Sequence, residues 1–153
     1  MSAHRNFFQT SDFIICLFIL LSVVLEYFIP THLSISRFSS ITIGVILLVI
    51  SWIIIFTAKF QFKKFNQKSG PGNETTQLIK TGLFKYSRNP IYLGVLLICP
   101  ALGFIFNSVY LMIAVIPVFI LLKYLLITPE EKYLYQKFTG EYSDYCKKVR
   151  RWL

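Results

Sequence analysis

Residues 88–131 read RNPIYLGVLLICPALGFIFNSVYLMIAVIPVFILLKYLLITPEE. Two apolar runs, Ile91–Phe106 and Val109–Ile127, stand either side of Asn107-Ser108, and Lys123 alone interrupts the second. A link this short forces the two runs to pack as an antiparallel pair. Their far ends, Arg88–Tyr92 and Thr128–Glu131, must then meet, although they lie some forty positions apart in sequence.

Two further apolar runs precede this pair. Phe13–Ile29 is broken by Ser22 and Glu26, and Ile41–Phe56 by Thr42 and Ser51. A membrane-spanning helix needs about 20 predominantly apolar residues. Allowing for flanking Ser, Thr and Tyr, the spans are 13–29, 39–58, 91–106 and 109–127. The first two read as a plain helical hairpin. The chain is 55% hydrophobic and only 15% charged, against about a quarter charged in soluble domains. The fold class is therefore an all-α integral membrane protein of about four transmembrane helices, in one domain over 1–153. The first run also resembles a secretory signal with small residues at Ser34-Ile35-Ser36. Its length and the preceding Asp12 argue for a retained span.

The net charge is +9, and it is unevenly placed. Lys59, Lys63, Lys64, Lys68, Lys80, Lys85 and Arg88 crowd the segment between the second and third runs, against Glu74 alone. The tail adds Lys132, Lys137, Lys147, Lys148, Arg150 and Arg151, whereas the other two links carry little charge. Cytosolic loops carry the excess of Lys and Arg. Both termini and the long middle loop are thus expected in the cytosol. This charge reads as topology and attraction to anionic lipid rather than to nucleic acid. Cys16, Cys99 and Cys146 form neither a disulfide framework nor a metal-ligand spacing.

Glu26 sits near the outer end of the first span. An intramembrane carboxylate is a functional candidate by default, but its position lets it reach water. Gly70-Pro71-Gly72 marks a loop. In the tail, Leu134, Phe138, Tyr142, Tyr145, Val149 and Trp152 recur every three or four residues. That is one face of a helix, and lysines and arginines fill much of the rest. The reading is a cytosolic amphipathic helix, broken at Gly140, that either lids a site or anchors the tail to the membrane surface.

The chemistry converges at the boundary. Asn89 is a strong helix N-cap, and Pro90 suits the first helical position. The start of that helix offers free N–H groups and a positive dipole end. Arg88 can grip a carboxylate with two hydrogen bonds, Tyr92 offers an aromatic face to a cation, and Gly94 admits a close backbone or ligand. Opposite stand Glu130 and Glu131. Singly, these residues have structural explanations: Arg88 as an interfacial anchor, and Thr128 with Glu131 as a capping box around Pro129. Together they suit a zwitterion that also carries a positive centre, such as S-adenosylmethionine. Methyl transfer from a sulfonium chiefly needs alignment and exclusion of water. The glycine-rich signature of a Rossmann domain is missing from the sequence.

The stretches TGLFKYSRNPIYLG (81–94) and PEEKYLYQKFTGEYSDYCKKVRRWL (129–153), around a hydrophobic hairpin, resemble the isoprenylcysteine carboxyl methyltransferase family, which includes phospholipid methyltransferases. The resemblance runs from about Gly70 to Leu153. It implies that 70–90 and 128–153 form a cytosolic S-adenosylmethionine site. Thr76, Gln77, Leu78 and Ile79 would line the adenosyl pocket by backbone, with Phe84 beside it. Asn89, Pro90 and Tyr92 fall on the family's His/Asn-Pro-x-Tyr motif, and Glu131 on its cofactor glutamate. Arg88 and Glu131 would carry the catalytic role. The family's substrate Arg, four residues before that glutamate, is replaced by Ile127; Lys123 is the nearest basic residue. A prenylated protein substrate is therefore not assigned.

The resulting expectation is an integral membrane methyltransferase acting on a lipid-like or membrane-dissolved small acceptor. Small size and the Arg-Asn-Pro form of the motif lean toward a bacterial inner membrane. A non-enzymatic membrane assembly or binding protein is the alternative. A sterol-reductase-like oxidoreductase is a weaker one, because little polar sequence is left for a dinucleotide.

Overall fold

The computed structural model describes residues 11–67 and 75–153. The Gly70-Pro71-Gly72 loop reading, with Lys68 and Glu74, lies outside the described residues, among which there is no strand. The helices are α1 (Ser11–Phe28), α2 (Arg37–Lys64), α3 (Pro90–Phe106), α4 (Val109–Ile113), α5 (Val115–Leu121) and α6 (Thr128–Lys148). A 3-10 turn, Gly82–Lys85, precedes α3, and a π-helical turn, Leu122–Ile127, joins α5 to α6.

Three helical runs are long and apolar enough to cross a membrane: α1, α2 and the 40-residue run Val109–Lys148. At 17 residues, α3 is shorter. Leu20, Trp52 and Phe56 are each at least 60% exposed. Large apolar side chains so widely exposed along helices suit contact with lipid rather than water.

The partners differ from the expected hairpin of the first two runs. Helix α2 packs along α3, and α1 lies instead against α3, α4, α5 and the π turn. The reason is the small residues of α2. Its buried positions are Ser40, Gly44, Ser51 and Ala58. A Cβ on Gly44 would meet the Ala101 carbonyl oxygen at 2.7 Å, and one on Gly94 would meet Ile55 at 2.6 Å. Ser40 and Ser51 donate hydroxyl hydrogen bonds across the seam to the carbonyls of Phe104 and Gly94, each at 2.7 Å. Lipid tails are as apolar as leucine, so helices associate in a membrane through close packing and hydrogen bonds, each bond contributing about 0.6 kcal/mol. Gly94 thus serves helix packing.

The tight hairpin forms as expected. Asn107 takes a left-handed conformation at φ 58°, closing α3. Ser108 caps α4 by accepting from the Leu111 N–H. Glu26 is bound into this end: it accepts hydrogen bonds from Thr31 N–H, from the Thr31 hydroxyl and from the Ser108 hydroxyl. The Val109 N–H in turn donates to Thr31 Oγ1 at 3.2 Å. Glu26 therefore ties the α1–α2 link to the hairpin tip instead of simply facing water.

Along the second arm, Ala114 separates α4 from α5 three residues before Pro117. A proline ring lacks an N–H and crowds the carbonyl four residues back. The same chemistry recurs at Pro129. Here the helix widens into the π turn, and Thr128 directs both its N–H and its hydroxyl to the Lys123 carbonyl. This corrects the capping-box reading. The chain is already helical where α6 begins at Thr128, running on from Leu121 through the π turn, and no side chain caps that junction. The tail helix does break, at Thr139 (φ 25°), one residue before the expected Gly140.

Candidate functional site

The C-terminal end of α2, the N-terminal end of α3 and the start of α6 come together. Gln67, buried just beyond α2, anchors the next segment. Its amide donates to the Gln77 carbonyl at 2.9 Å and accepts from the Thr76 N–H at 3.3 Å. This double contact holds an irregular strip along which Leu78 and Ile79 turn inward. Gly82 has φ 60°, and a Cβ there would strike the Gln61 side chain at 2.4 Å. Glycine takes that close left-handed corner without strain, and the corner starts the 3-10 turn carrying Phe84. The Phe84 ring stands edge-to-face against Phe62, 5.6 Å between centroids.

The tail closes the far side. Tyr142, Tyr145 and Val149 form a buried cluster with Leu78, Leu134 and Phe138 packed on it. The Tyr145 hydroxyl donates to the Phe84 carbonyl at 2.6 Å. Beyond α6 the chain lies over the Arg88–Asn89 corner. The Arg150 carbonyl accepts from the Arg88 N–H at 3.1 Å. The Arg151 carbonyl accepts from Ser87 Oγ and from Asn89 Nδ2. Trp152 reaches the main core against Phe119, 5.3 Å away. The aromatic stripe of the tail thus packs into the molecule.

These elements enclose a cleft of roughly 500 Å³, part of it open to solvent. Leu78, Ile79, Phe84, Arg88, Asn89 and Glu131 all line it, so six of the residues singled out in the sequence meet at one place. Gln77 does not: it is exposed and contributes only its carbonyl to Gln67. Pro90 is buried at the first turn of α3. Tyr92 is buried in the core, so its ring face is not open to a cation; its hydroxyl donates to Glu130 Oε2 at 3.0 Å. Asn89 stands at the N-cap position, but its side chain makes no capping bond and holds the tail instead.

The electrostatic centre is Glu131. Arg151 grips it with Nε to Oε1 at 3.1 Å and Nη2 to Oε2 at 2.6 Å. Arg88 Nη1 lies 3.5 Å from the same Oε1 and also touches the Cys146 sulfur. Arg88 Nε is buried and has no hydrogen-bond partner among the described residues. Glu130 lines the cleft but is otherwise enclosed by protein, and burial pushes its carboxyl above the usual carboxylate range, with the Tyr92 hydroxyl opposing. Burial likewise raises the Tyr142 and Tyr145 phenols. Ile127 is fully buried in the core. Lys123, one helical turn earlier, rests its ammonium 5.2 Å from the Tyr124 ring. Among the described residues no cluster of metal-ligating side chains occurs.

Sequence reasoning did not find Arg151 or Gln67. Arg151 was one charge among many in a basic tail. Gln67 carried no signal, because its role depends on where the following segment runs. Tyr142 and Tyr145 were legible only as part of a periodic stripe.

A family model described as phospholipid methyltransferase matches residues 39–141. The chain belongs to the phospholipid methyltransferase family. No curated protein and no solved structure matches it. The matched segment starts earlier than the motifs alone suggest and takes in the α2–α3 seam, the hairpin and most of α6. In this phospholipid methyltransferase family member, the closing residues Arg150 and Arg151 lie beyond the matched segment.

Proposed function

We propose that the chain is an integral membrane methyltransferase that takes its methyl group from S-adenosylmethionine and passes it to a lipid-like or other membrane-dissolved small acceptor. The observation that carries this reading is the Arg88–Glu131 pair set in a cleft with apolar walls, where α3 and α6 meet. Ligand sites are mostly apolar with a few placed polar groups, and Leu78, Ile79, Phe84 and Leu134 around Arg88, Asn89 and Glu131 give this cleft that character.

The residues fit the group. Leu78, Ile79 and Phe84 provide apolar surface for the adenosyl moiety. The unpartnered Arg88 Nε, beside the start of α3, suits the amino-acid carboxylate. Glu131 suits the ammonium. Bound there, S-adenosylmethionine supplies a methyl group on a sulfonium, transferred by in-line displacement. The chain's own part is to orient donor and acceptor and to exclude water, with Tyr142 and Tyr145 closing one side. Neither Arg88 nor Glu131 need take up a proton.

The same reading adopts four spans with α3 as the short one, both termini in the cytosol on the charge asymmetry, and a bacterial inner membrane. Burial of Ile127 argues against recognition of a carboxylate acceptor from that helix position. The capping explanation for Glu131 is disfavoured because its carboxylate meets two guanidinium groups and no backbone N–H. Calorimetric titration of the detergent-purified protein with S-adenosylhomocysteine tests the reading. Micromolar binding that is lost in Glu131→Gln supports it. A well-folded wild type that does not bind returns the non-enzymatic alternative.

A further inference from the structure

We infer that Arg151 is a built-in competitor for the cofactor: its guanidinium occupies the cationic position on Glu131, and a ligand ammonium must displace it to bind. This rests on the proposed use of the cleft.

Three observations carry the inference. First, Arg151 uses both oxygens of Glu131, at 3.1 and 2.6 Å, whereas Arg88 approaches one of them at 3.5 Å. Arg151 therefore holds the closest contact on each oxygen, and a third cation must compete with it for that carboxylate. Second, the two arginines differ in access. The Arg151 side chain is 35% exposed and Arg88 16%. The outer guanidinium can leave toward water; the inner one stays to meet an anion. Third, displacement does not require the tail to unfold. The Arg150 and Arg151 carbonyls are held by Arg88, Ser87 and Asn89, and Trp152 is half-buried against the core. Only the side chain need swing out, on a backbone that remains fixed.

The charges give this exchange a purpose. Without both a ligand and Arg151, Glu131 would face a partly apolar cleft with only the more distant Arg88 as its partner. Breaking a buried pair by removing one member is strongly destabilising. Arg151 keeps the carboxylate paired until a cation arrives, and so keeps the cleft folded in its binding shape. It also sets a threshold, because apparent affinity falls by the fraction of molecules in the competent state. A clamp closed about nine-tenths of the time weakens binding about tenfold.

The direction of the effect distinguishes a competitor from a ligand-binding residue. Calorimetric titration with S-adenosylhomocysteine is made on wild type, Arg151→Gln, Arg151→Lys and Glu131→Gln. The expected result is about tenfold tighter binding in Arg151→Gln, with Arg151→Lys between it and wild type, because a lysine makes a single-pronged contact. Should Arg151→Gln fold poorly, tighter binding by Arg151→Lys carries the same conclusion. Unchanged or weaker binding in the Arg151 variants, with binding still lost in Glu131→Gln, overturns the clamp and leaves the proposed site standing. Absence of binding in wild type and every variant overturns the proposed function, and the clamp with it.

Discussion

The Tyr92 hydroxyl and the Glu130 carboxylate meet across the two arms of the molecule at 3.0 Å, 38 positions apart in the chain. One belongs to the first turn of α3, the other to the first turn of α6. The bond joins the two elements that form the cleft, and Glu130 is the member that pays in desolvation. Its carboxyl is raised above its usual value by burial. For a raised carboxyl the folded state favours the protonated form. The stability it contributes is fully present below the unfolded pKa and is lost as pH rises through the folded one. Thermal unfolding in detergent should therefore show a midpoint that falls as pH climbs from the ordinary carboxylate range. Glu130→Gln should flatten that dependence. Tyr92→Phe should destabilise by about 1 kcal/mol, since it removes a part-buried hydrogen bond, and should move the loss to higher pH. An unaltered pH slope in Glu130→Gln would detach the effect from this residue.

Arg88 carries a different expectation. Its Nε is buried without a partner, and Nη1 is already near Glu131. Arg88→Lys keeps a charge but loses the fork. A charge-assisted hydrogen bond contributes about 1.5–3 kcal/mol, so S-adenosylhomocysteine affinity should fall at least about tenfold while the unfolding midpoint moves little. Titration of the lysine variant decides it; wild-type affinity there removes Arg88 from the site.

The α2–α3 seam makes a prediction about stability alone. At Gly44 a Cβ would meet backbone, the Ala101 carbonyl oxygen, at 2.7 Å; at Gly94 the closest atom is the Ile55 side chain, at 2.6 Å. Side chains give way more readily than backbone. Gly44→Ala should cost about 1–3 kcal/mol and more than Gly94→Ala, as measured by thermal unfolding. A Gly94→Ala protein that unfolds like wild type but no longer binds S-adenosylhomocysteine would mean that Gly94 faces the ligand after all.

The seam also shows why part of the fold was hidden in the sequence. Apolar length announced the helices, and the uncharged Asn107-Ser108 link announced the hairpin and hence the meeting of Arg88 with Glu131. Which helices pair was not legible. In water the buried face of a helix is its most apolar face. In α2 the buried positions are Ser40, Gly44, Ser51 and Ala58, and most of the large apolar side chains face outward. The hydrophobic pattern therefore points away from the partner. At the site, residue identity suggested caps at Asn89 and Thr128, and both local readings gave way to longer-range partners: the Arg151 carbonyl for Asn89 and the arginine pair for Glu131. Such partners follow from the path of the tail, which local sequence does not reveal.

The π turn at Leu122–Ile127 bears on where the site points. An α-helix advances 100° per residue, and a π turn takes up about one residue more than an α turn. Everything downstream is thereby re-phased by about a quarter of a revolution. Glu130 and Glu131 face the cleft in part because of that offset. Removing one residue from the turn would restore an even helix and swing both carboxylates toward another face, with every side chain of the site still present. The direction in which Glu130 and Glu131 point thus depends on the residue count of this turn as well as on residue types.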